Sequence, residues 1–187
     1  MGGSALNLPN AISLARLLLV PLTIWLMLGG RYGVAFWVFV GAGISDGLDG
    51  FIAKRFDMRT KLGAMLDPIA DKALIVSVFL ALGAAHELPV WLVILVVFRD
   101  AMIIGGYLLL LAMGVAPRQV DPLYVSKLNT LVQITLVAFE LARLGLGAEA
   151  RLATMLLVLL TAATTTLSGL FYLVRWARIV SRSEEAL

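Results

Sequence analysis

In a chain of 187 residues that is 61% hydrophobic and only 14% charged, apolar side chains far exceed the roughly 45 to 50% of an ordinary soluble domain, which implies an integral membrane protein. At about 20 apolar residues per crossing the length accommodates one domain over residues 1–187 with six or so transmembrane helices, and it excludes a second soluble domain. The lack of cysteine excludes a disulfide framework, a thiolate nucleophile and a zinc-thiolate site, and a net charge of +3 carried near helix ends points to anionic lipid headgroups and not to nucleic acid.

Leu8-Pro9-Asn10 predicts a turn before a helix. The first span then runs from Ala11 to Leu28, interrupted only by Arg16 and Pro21 and stopped by Gly29-Gly30. With no basic residue before it and Arg16 inside it, this run is a poor fit to a cleaved signal peptide and is expected to stay in the mature protein. The second span is expected over about Tyr32 to Ile52 and the third over about Leu62 to Ala84. After the His86-Glu87-Leu88-Pro89 turn, the fourth covers about Pro89 to Met113. A Gly/Pro-rich stretch from Gly114 to Pro122 follows, then a fifth span from Tyr124 to about Ala142 and a sixth from Leu152 to about Val174, leaving a polar tail from Arg175 to Leu187. The expected fold is therefore all-α and polytopic, with six crossings and both termini on one side.

Basic residues assign that side. Lys54, Arg55, Arg59, Lys61, Arg118, Lys127, Arg175, Arg178 and Arg182 fall on one face, and Arg31, Arg143 and Arg151 on the other. Cytoplasmic loops are the ones enriched in Lys and Arg, so the termini and the loop between the second and third spans are expected in the cytoplasm, at the inner membrane of the cell.

Four carboxylates stand at or just inside the ends of those two spans: Asp46, Asp49, Asp67 and Asp71. An Asp at the centre of a spanning helix costs roughly 2.5 to 3.5 kcal/mol, and less near the interface, so four without partners cost up to about 10 kcal/mol. Spacings of three and four put each pair on one helix face, and the two faces can meet across the hairpin. Most nearby counter-charges (Lys54, Arg55, Arg59, Lys61, Lys72) lie where the loop reaches water. Two hard divalent cations, Mg²⁺ or Mn²⁺, are the better partners, since they favour carboxylate oxygens and in pairs clamp a transferring phosphoryl group. The small residues around the carboxylates, including Gly41, Gly43, Gly47, Gly50, Gly63 and Ala64, suit a ligand pressed against backbone; taken without the aspartates they would better suit tight helix packing, and the four aspartates move the balance to a ligand cleft.

Read as one string, Asp46-Gly-Leu-Asp49-Gly50-Phe-Ile-Ala53-Lys54, eight residues, Gly63, three residues, Asp67, three residues and Asp71 resembles the signature of the CDP-alcohol phosphotransferases. Seven of its eight fixed positions match over a 26-residue window. The departure is Lys54, where the family usually has Arg; either Lys54 contacts the nucleotide diphosphate as a point charge, or Arg55 takes part of the role. The resemblance implies a six-helix membrane enzyme, often a homodimer, that transfers a phosphatidyl or related group from a CDP-linked lipid to an alcohol and releases CMP. It implies that Asp46, Asp49, Asp67 and Asp71 hold two metal ions on the CDP diphosphate and that Asp71 is also the base. Gly50, Lys54 and Thr60 would contact the CDP moiety, and Gly63 would give the cytidine ring room. His86, the sole histidine, falls on the opposite face by the span count and is expected to be an interfacial loop residue.

The rest of the chain is most similar to the cardiolipin synthases of the CDP-alcohol type, on Phe98-Arg99-Asp100 and the run Ser126-Lys127-Leu128-Asn129-Thr130-Leu131-Val132-Gln133; Leu8-Pro9-Asn10 with Ser13 and Arg16 is shared with the phosphatidylglycerophosphate synthases. The implied substrates are CDP-diacylglycerol and phosphatidylglycerol, or glycerol 3-phosphate in the alternative. A dianionic glycerol phosphate would want several fixed cations; Lys127 and Arg118 are few, and Asn129 is neutral. Arg99, Arg118, Lys127 and Asn129 are therefore the candidate acceptor contacts.

Ser126, Asn129, Thr130 and Gln133 form a polar stripe that suits either an acceptor pocket or interhelical hydrogen bonding. Arg99 and Asp100, as adjacent residues, are expected to point to different sides, with Arg99 an acceptor contact or a buried ion partner. Arg16 can snorkel to the headgroups or reach a substrate phosphate. Thr161 and Thr164 to Thr166 are expected to satisfy backbone carbonyls, and Trp25, Trp37, Trp91 and Trp176 to pack or to anchor at the interface. Intramembrane Asp pairs also mark ion pathways. A divalent cation transporter is thus the alternative from another class, and intramembrane prenyltransferases, whose paired Asp motifs lie on well-separated helices, rank below it.

Overall fold

The structure, a computed structural model, describes residues 8–55, 61–112 and 124–184, with the helical backbone alone for 8–14, 16, 46–55, 61–71, 110–111 and 180–184. Among the described residues six α-helices follow one another: α1 Leu8–Leu28, α2 Tyr32–Arg55, α3 Lys61–Ala84, α4 Val90–Ala112, α5 Tyr124–Leu146 and α6 Arg151–Glu184. Every expected span is a helix. The stretch Gly114 to Pro122 lies outside the described residues.

Two boundaries differ from expectation. Leu8 and Pro9 belong to α1 and not to a preceding turn; Pro is tolerated in a first turn because no helical partner awaits its missing N–H there. The supposed polar tail is helical to Glu184, so α6 has 34 residues and at 1.5 Å per residue is about 50 Å long, well beyond the roughly 30 Å hydrocarbon core of a bilayer.

Among the described residues, three helices are long and apolar enough to cross a membrane, over Val90–Leu109, Tyr124–Leu146 and Arg151–Ile179, and shorter apolar helices occupy Leu17–Leu28, Tyr32–Ser45 and Lys72–Ala84. Exposed large apolar side chains recur along the outward faces, as at Trp91, Ile94 and Phe98 on α4, a pattern that water would penalise and lipid accepts.

Three helix ends close alike. Gly30 after α1, His86 after α3 and Gly147 after α5 take positive φ (69°, 60° and 61°). In each, the next residue's N–H reaches back five residues: Arg31 to Leu26 O, Glu87 to Leu82 O and Ala148 to Arg143 O, at 2.9 to 3.0 Å. This arrangement satisfies carbonyls the helix leaves orphaned. His86 is thus an exposed turn residue, in line with its expected loop role, in a conformation that usually falls to glycine.

The chain divides into two compact units, Met1–Glu87 with Val137–Ala150, and Leu88–Leu136 with Arg151–Leu187. In the first, α1 packs on α2 and α3, burying Leu26, Met27, Ala35, Phe39, Leu74, Val78, Phe79 and Leu82. Gly33 and Gly145 meet there backbone to backbone. In the second, α4 packs on α6 over Leu92, Val93, Val96, Val158 and Tyr172, and the Trp176 ring fills the space beside Gly106 where any Cβ would stand.

Candidate active site

The four aspartates fall on two consecutive helices, Asp46 and Asp49 on α2 and Asp67 and Asp71 on α3. α2 ends at Arg55 and α3 starts at Lys61. At 1.5 Å per residue Asp49 and Asp67 are each about 9 Å along the helix from those linked ends, and Asp46 and Asp71 about 14 to 15 Å. Each pair also occupies positions one helical turn apart. The four therefore fall at matched depths on chain segments joined by residues 56–60 alone. Lys54 and Gly50 belong to the last turns of α2 and Gly63 to the first turn of α3. The side chains of these residues, and Thr60 and Arg118 entirely, lie outside the described residues, as does the side chain of Arg16. Among the described residues no group of three or more His, Asp or Glu is placed to hold a metal.

A second polar cluster lies within the unit built from α4, the first half of α5 and α6. Arg99 is 3% exposed. Its Nη1 donates to Asp100 Oδ1 at 2.7 Å, and its Nη2 donates to Ser126 Oγ at 2.7 Å and to Ser168 Oγ. The Tyr172 ring centroid lies 5.9 Å from the guanidinium carbon, and Nε is buried without a partner.

The expectation that Arg99 and Asp100 point apart is corrected here. The inward stripe of α4, marked by Leu92, Val93 and Val96, is broad enough to take two neighbours about 100° apart, and a buried guanidinium without a nearby anion would be far costlier than one bent back on its neighbour. Arg99 is thus a buried ion partner, and the question of its contact with an acceptor rests on its remaining donors.

Asn129 is fully buried. Thr165 Oγ1 donates to its Oδ1 at 2.8 Å, and Thr164 Oγ1 lies 2.9 Å from the same oxygen as well as 3.0 Å from Leu160 O and 3.1 Å from Thr161 O. Thr164 and Thr166 bond backbone carbonyls as expected. The link from Thr164 and Thr165 to Asn129 was not foreseen, and Thr161 Oγ1, expected to bond a carbonyl, is buried without a partner. Thr130 returns to Ser126 O on its own helix. Lys127 is exposed, its Nζ 5.5 Å from the Tyr124 ring.

Sequence reasoning missed Ser168 and Tyr172. The signal was present: 161, 165, 168 and 172 are spaced by three and four on α6 and carry polar or aromatic side chains. It also gave no partners for Arg143, which pairs with Glu87 at 2.8 Å and with the fully buried Glu140 at 2.7 Å.

Residues 6–174 match the CDP-alcohol phosphatidyltransferase family. The chain belongs to that family. It is 34% identical over 95% of its length to the chloroplastic CDP-diacylglycerol–glycerol-3-phosphate 3-phosphatidyltransferase 1 of Oryza sativa, covering 59% of that protein. It is 34% identical over 89% of its length to cardiolipin synthase (CMP-forming) of Rattus norvegicus, covering 60% of it. A third relative, cardiolipin synthase (CMP-forming) of Streptomyces coelicolor, is 34% identical over 94% of this chain and 85% of its own. The chain thus spans about three fifths of the rice and rat relatives, and the relatives' names divide between a glycerol-3-phosphate phosphatidyltransferase and cardiolipin synthases.

Proposed function

We propose that this chain is a metal-dependent CDP-alcohol phosphatidyltransferase acting as a cardiolipin synthase, which transfers the phosphatidyl group of CDP-diacylglycerol to phosphatidylglycerol and releases CMP. The observation that carries the chemistry is the placement of four aspartates at matched depth on two linked helices. An all-oxygen donor set of this kind, in a chain without cysteine, fits Mg²⁺ or Mn²⁺. When bound, two such ions would shield charge on the phosphoryl oxygens.

The chain's own part is binding and proton transfer. Asp46, Asp49, Asp67 and Asp71 hold the ions, while Gly50, Lys54, Thr60 and Gly63 contact the CDP moiety. Asp71 accepts the proton of the acceptor hydroxyl. That hydroxyl oxygen bonds to the lipid-side phosphorus as the bond to the CMP oxygen breaks. General-base assistance of this kind is worth about 10² to 10⁴-fold.

The acceptor reading is supported by charge. The fixed cation Arg99 is already offset by Asp100 at 2.7 Å, and Asn129 beside it in the same unit is neutral and buried. A site of that balance suits the singly charged diester and uncharged glycerol of phosphatidylglycerol better than a dianionic monoester. Phosphatidylglycerophosphate synthesis from glycerol 3-phosphate is the second reading, favoured by the rice relative's name. Six crossings, cytoplasmic termini, an active site at the cytoplasmic face of the inner membrane and a homodimer complete the proposal.

Purified protein incubated with CDP-diacylglycerol, Mg²⁺ and each acceptor in turn decides between the two readings. Cardiolipin formed from phosphatidylglycerol is expected, and turnover with glycerol 3-phosphate alone would defeat the first.

A further inference from the structure

The α5 and α6 side chains of the second unit are in antiparallel register. Ser126 and Ser168 share the Arg99 guanidinium. Three residues further along α5 and three residues back along α6, Asn129 and Thr165 are bonded directly. The next step in each direction is four residues and reaches Gln133 and Thr161. Both are 0% exposed. Unlike the first two rungs of this polar ladder, the third is not closed: Gln133 Oε1, Gln133 Nε2 and Thr161 Oγ1 are all buried without a hydrogen-bond partner, and so is Asn129 Nδ2 one turn away.

Buried polar groups are satisfied in nine cases in ten or more, and in hydrocarbon no bulk water can substitute. A direct Gln133–Thr161 bond would serve the amide's carbonyl or its N–H₂ in good geometry but not both, and Asn129 Nδ2 would still want an acceptor. The unpaired set comprises donors (Asn129 Nδ2, Gln133 Nε2), an acceptor (Gln133 Oε1) and one hydroxyl that is either. It carries no charge, which disfavours a metal ion or a phosphate, and its full burial restricts the ligand to a very small group. A hydroxyl, which both donates and accepts, is the complement.

We propose that the Gln133–Thr161 rung is a binding site for a hydroxyl ligand between α5 and α6, supplied by water or by the glycerol hydroxyl of a lipid. The site does not depend on the proposed reaction, and its test reads stability and not turnover.

The full-length chain is reconstituted in nanodiscs of phosphatidylcholine alone or with phosphatidylglycerol, and thermal unfolding is followed for Gln133→Leu, Thr161→Val, their combination and Thr161→Ser. With a ligand bridging the rung, each apolar variant strands the other partner and lowers Tm by about 3 to 8 °C. The combination then loses no more than the larger single effect, and Thr161→Ser, which keeps the hydroxyl, stays within about 2 °C of the parent. Losses equal in both lipids identify water as the source; losses confined to the phosphatidylglycerol discs identify the lipid hydroxyl. A rise in Tm for either apolar variant, or losses that add in the combination, would overturn the proposal, because an unliganded rung gains by losing its orphaned groups. Should Gln133→Leu fail to fold, the contrast of Thr161→Val with Thr161→Ser decides, and equal Tm values for those two would overturn it.

Discussion

The guanidinium of Arg99 bonds the carboxylate of its own chain neighbour, Asp100, at 2.7 Å, with both side chains buried on the inward face of α4. Ser126 and Ser168 take the other terminal nitrogen, so three helices hold one cation in a fixed orientation. Pre-set orientation suits a binding group, since little rotamer freedom remains to be lost when a ligand arrives.

Asp100→Asn removes the charge that offsets Arg99 while keeping its shape. Breaking a buried pair by neutralising one partner typically costs about 3 to 5 kcal/mol, so Tm should fall on the order of 10 °C. The same change at exposed Glu149 should leave Tm within about 2 °C, and circular dichroism melts of both variants check the contrast.

Gly145 and Gly33 make an asymmetric pair. A Cβ on Gly145 would lie 2.5 Å from Gly33 Cα and 2.6 Å from Gly33 N, whereas a Cβ on Gly33 would sit 3.7 Å from the nearest Gly145 atom. Backbone has no rotamer with which to yield. Gly145→Ala should therefore destabilise by about 1 to 3 kcal/mol, and Gly33→Ala by under about 0.5 kcal/mol, as for an ordinary contact. Denaturant or thermal unfolding of the two variants side by side measures the difference; equal effects would show that the close approach is absent.

Arg143 serves two carboxylates of different burial, Glu140 at 0% exposure and Glu87 at 32%. Arg143→Met strips the buried Glu140 of this partner and should cost about 3 to 5 kcal/mol. Glu87→Gln loses one bond at a wetter site and should cost about 1 kcal/mol or less. Melting curves that rank the two variants in the reverse order would contradict this reading of the triad.

The sequence made the helices legible because apolar runs of membrane length have few alternatives, and Gly29-Gly30 marked a helix end at which Gly30 takes positive φ. The end of α6 was not legible. Arg175, Arg178 and Arg182 end an apolar span, but they are good helix formers and do not end a helix. That each aspartate pair sits one turn apart on a helix was legible from spacing alone, because a period of three or four is all that a shared helix face requires. The Arg99–Asp100 pair and the Asn129–Thr165 bond were not, since spacing assigns a residue to a face but does not say how far a long side chain bends or which helix stands opposite.

Release of CMP from CDP-diacylglycerol by the purified protein in the presence of phosphatidylglycerol, followed as divalent cation is removed and restored, tests the central claim most directly. The account predicts that a chelator abolishes release, that Mg²⁺ or Mn²⁺ restores it, and that Asp46→Asn, Asp49→Asn, Asp67→Asn and Asp71→Asn each lower it at least 10²-fold in protein that still extracts and melts normally. Full CMP release in chelator, or undiminished release by Asp71→Asn, would contradict it.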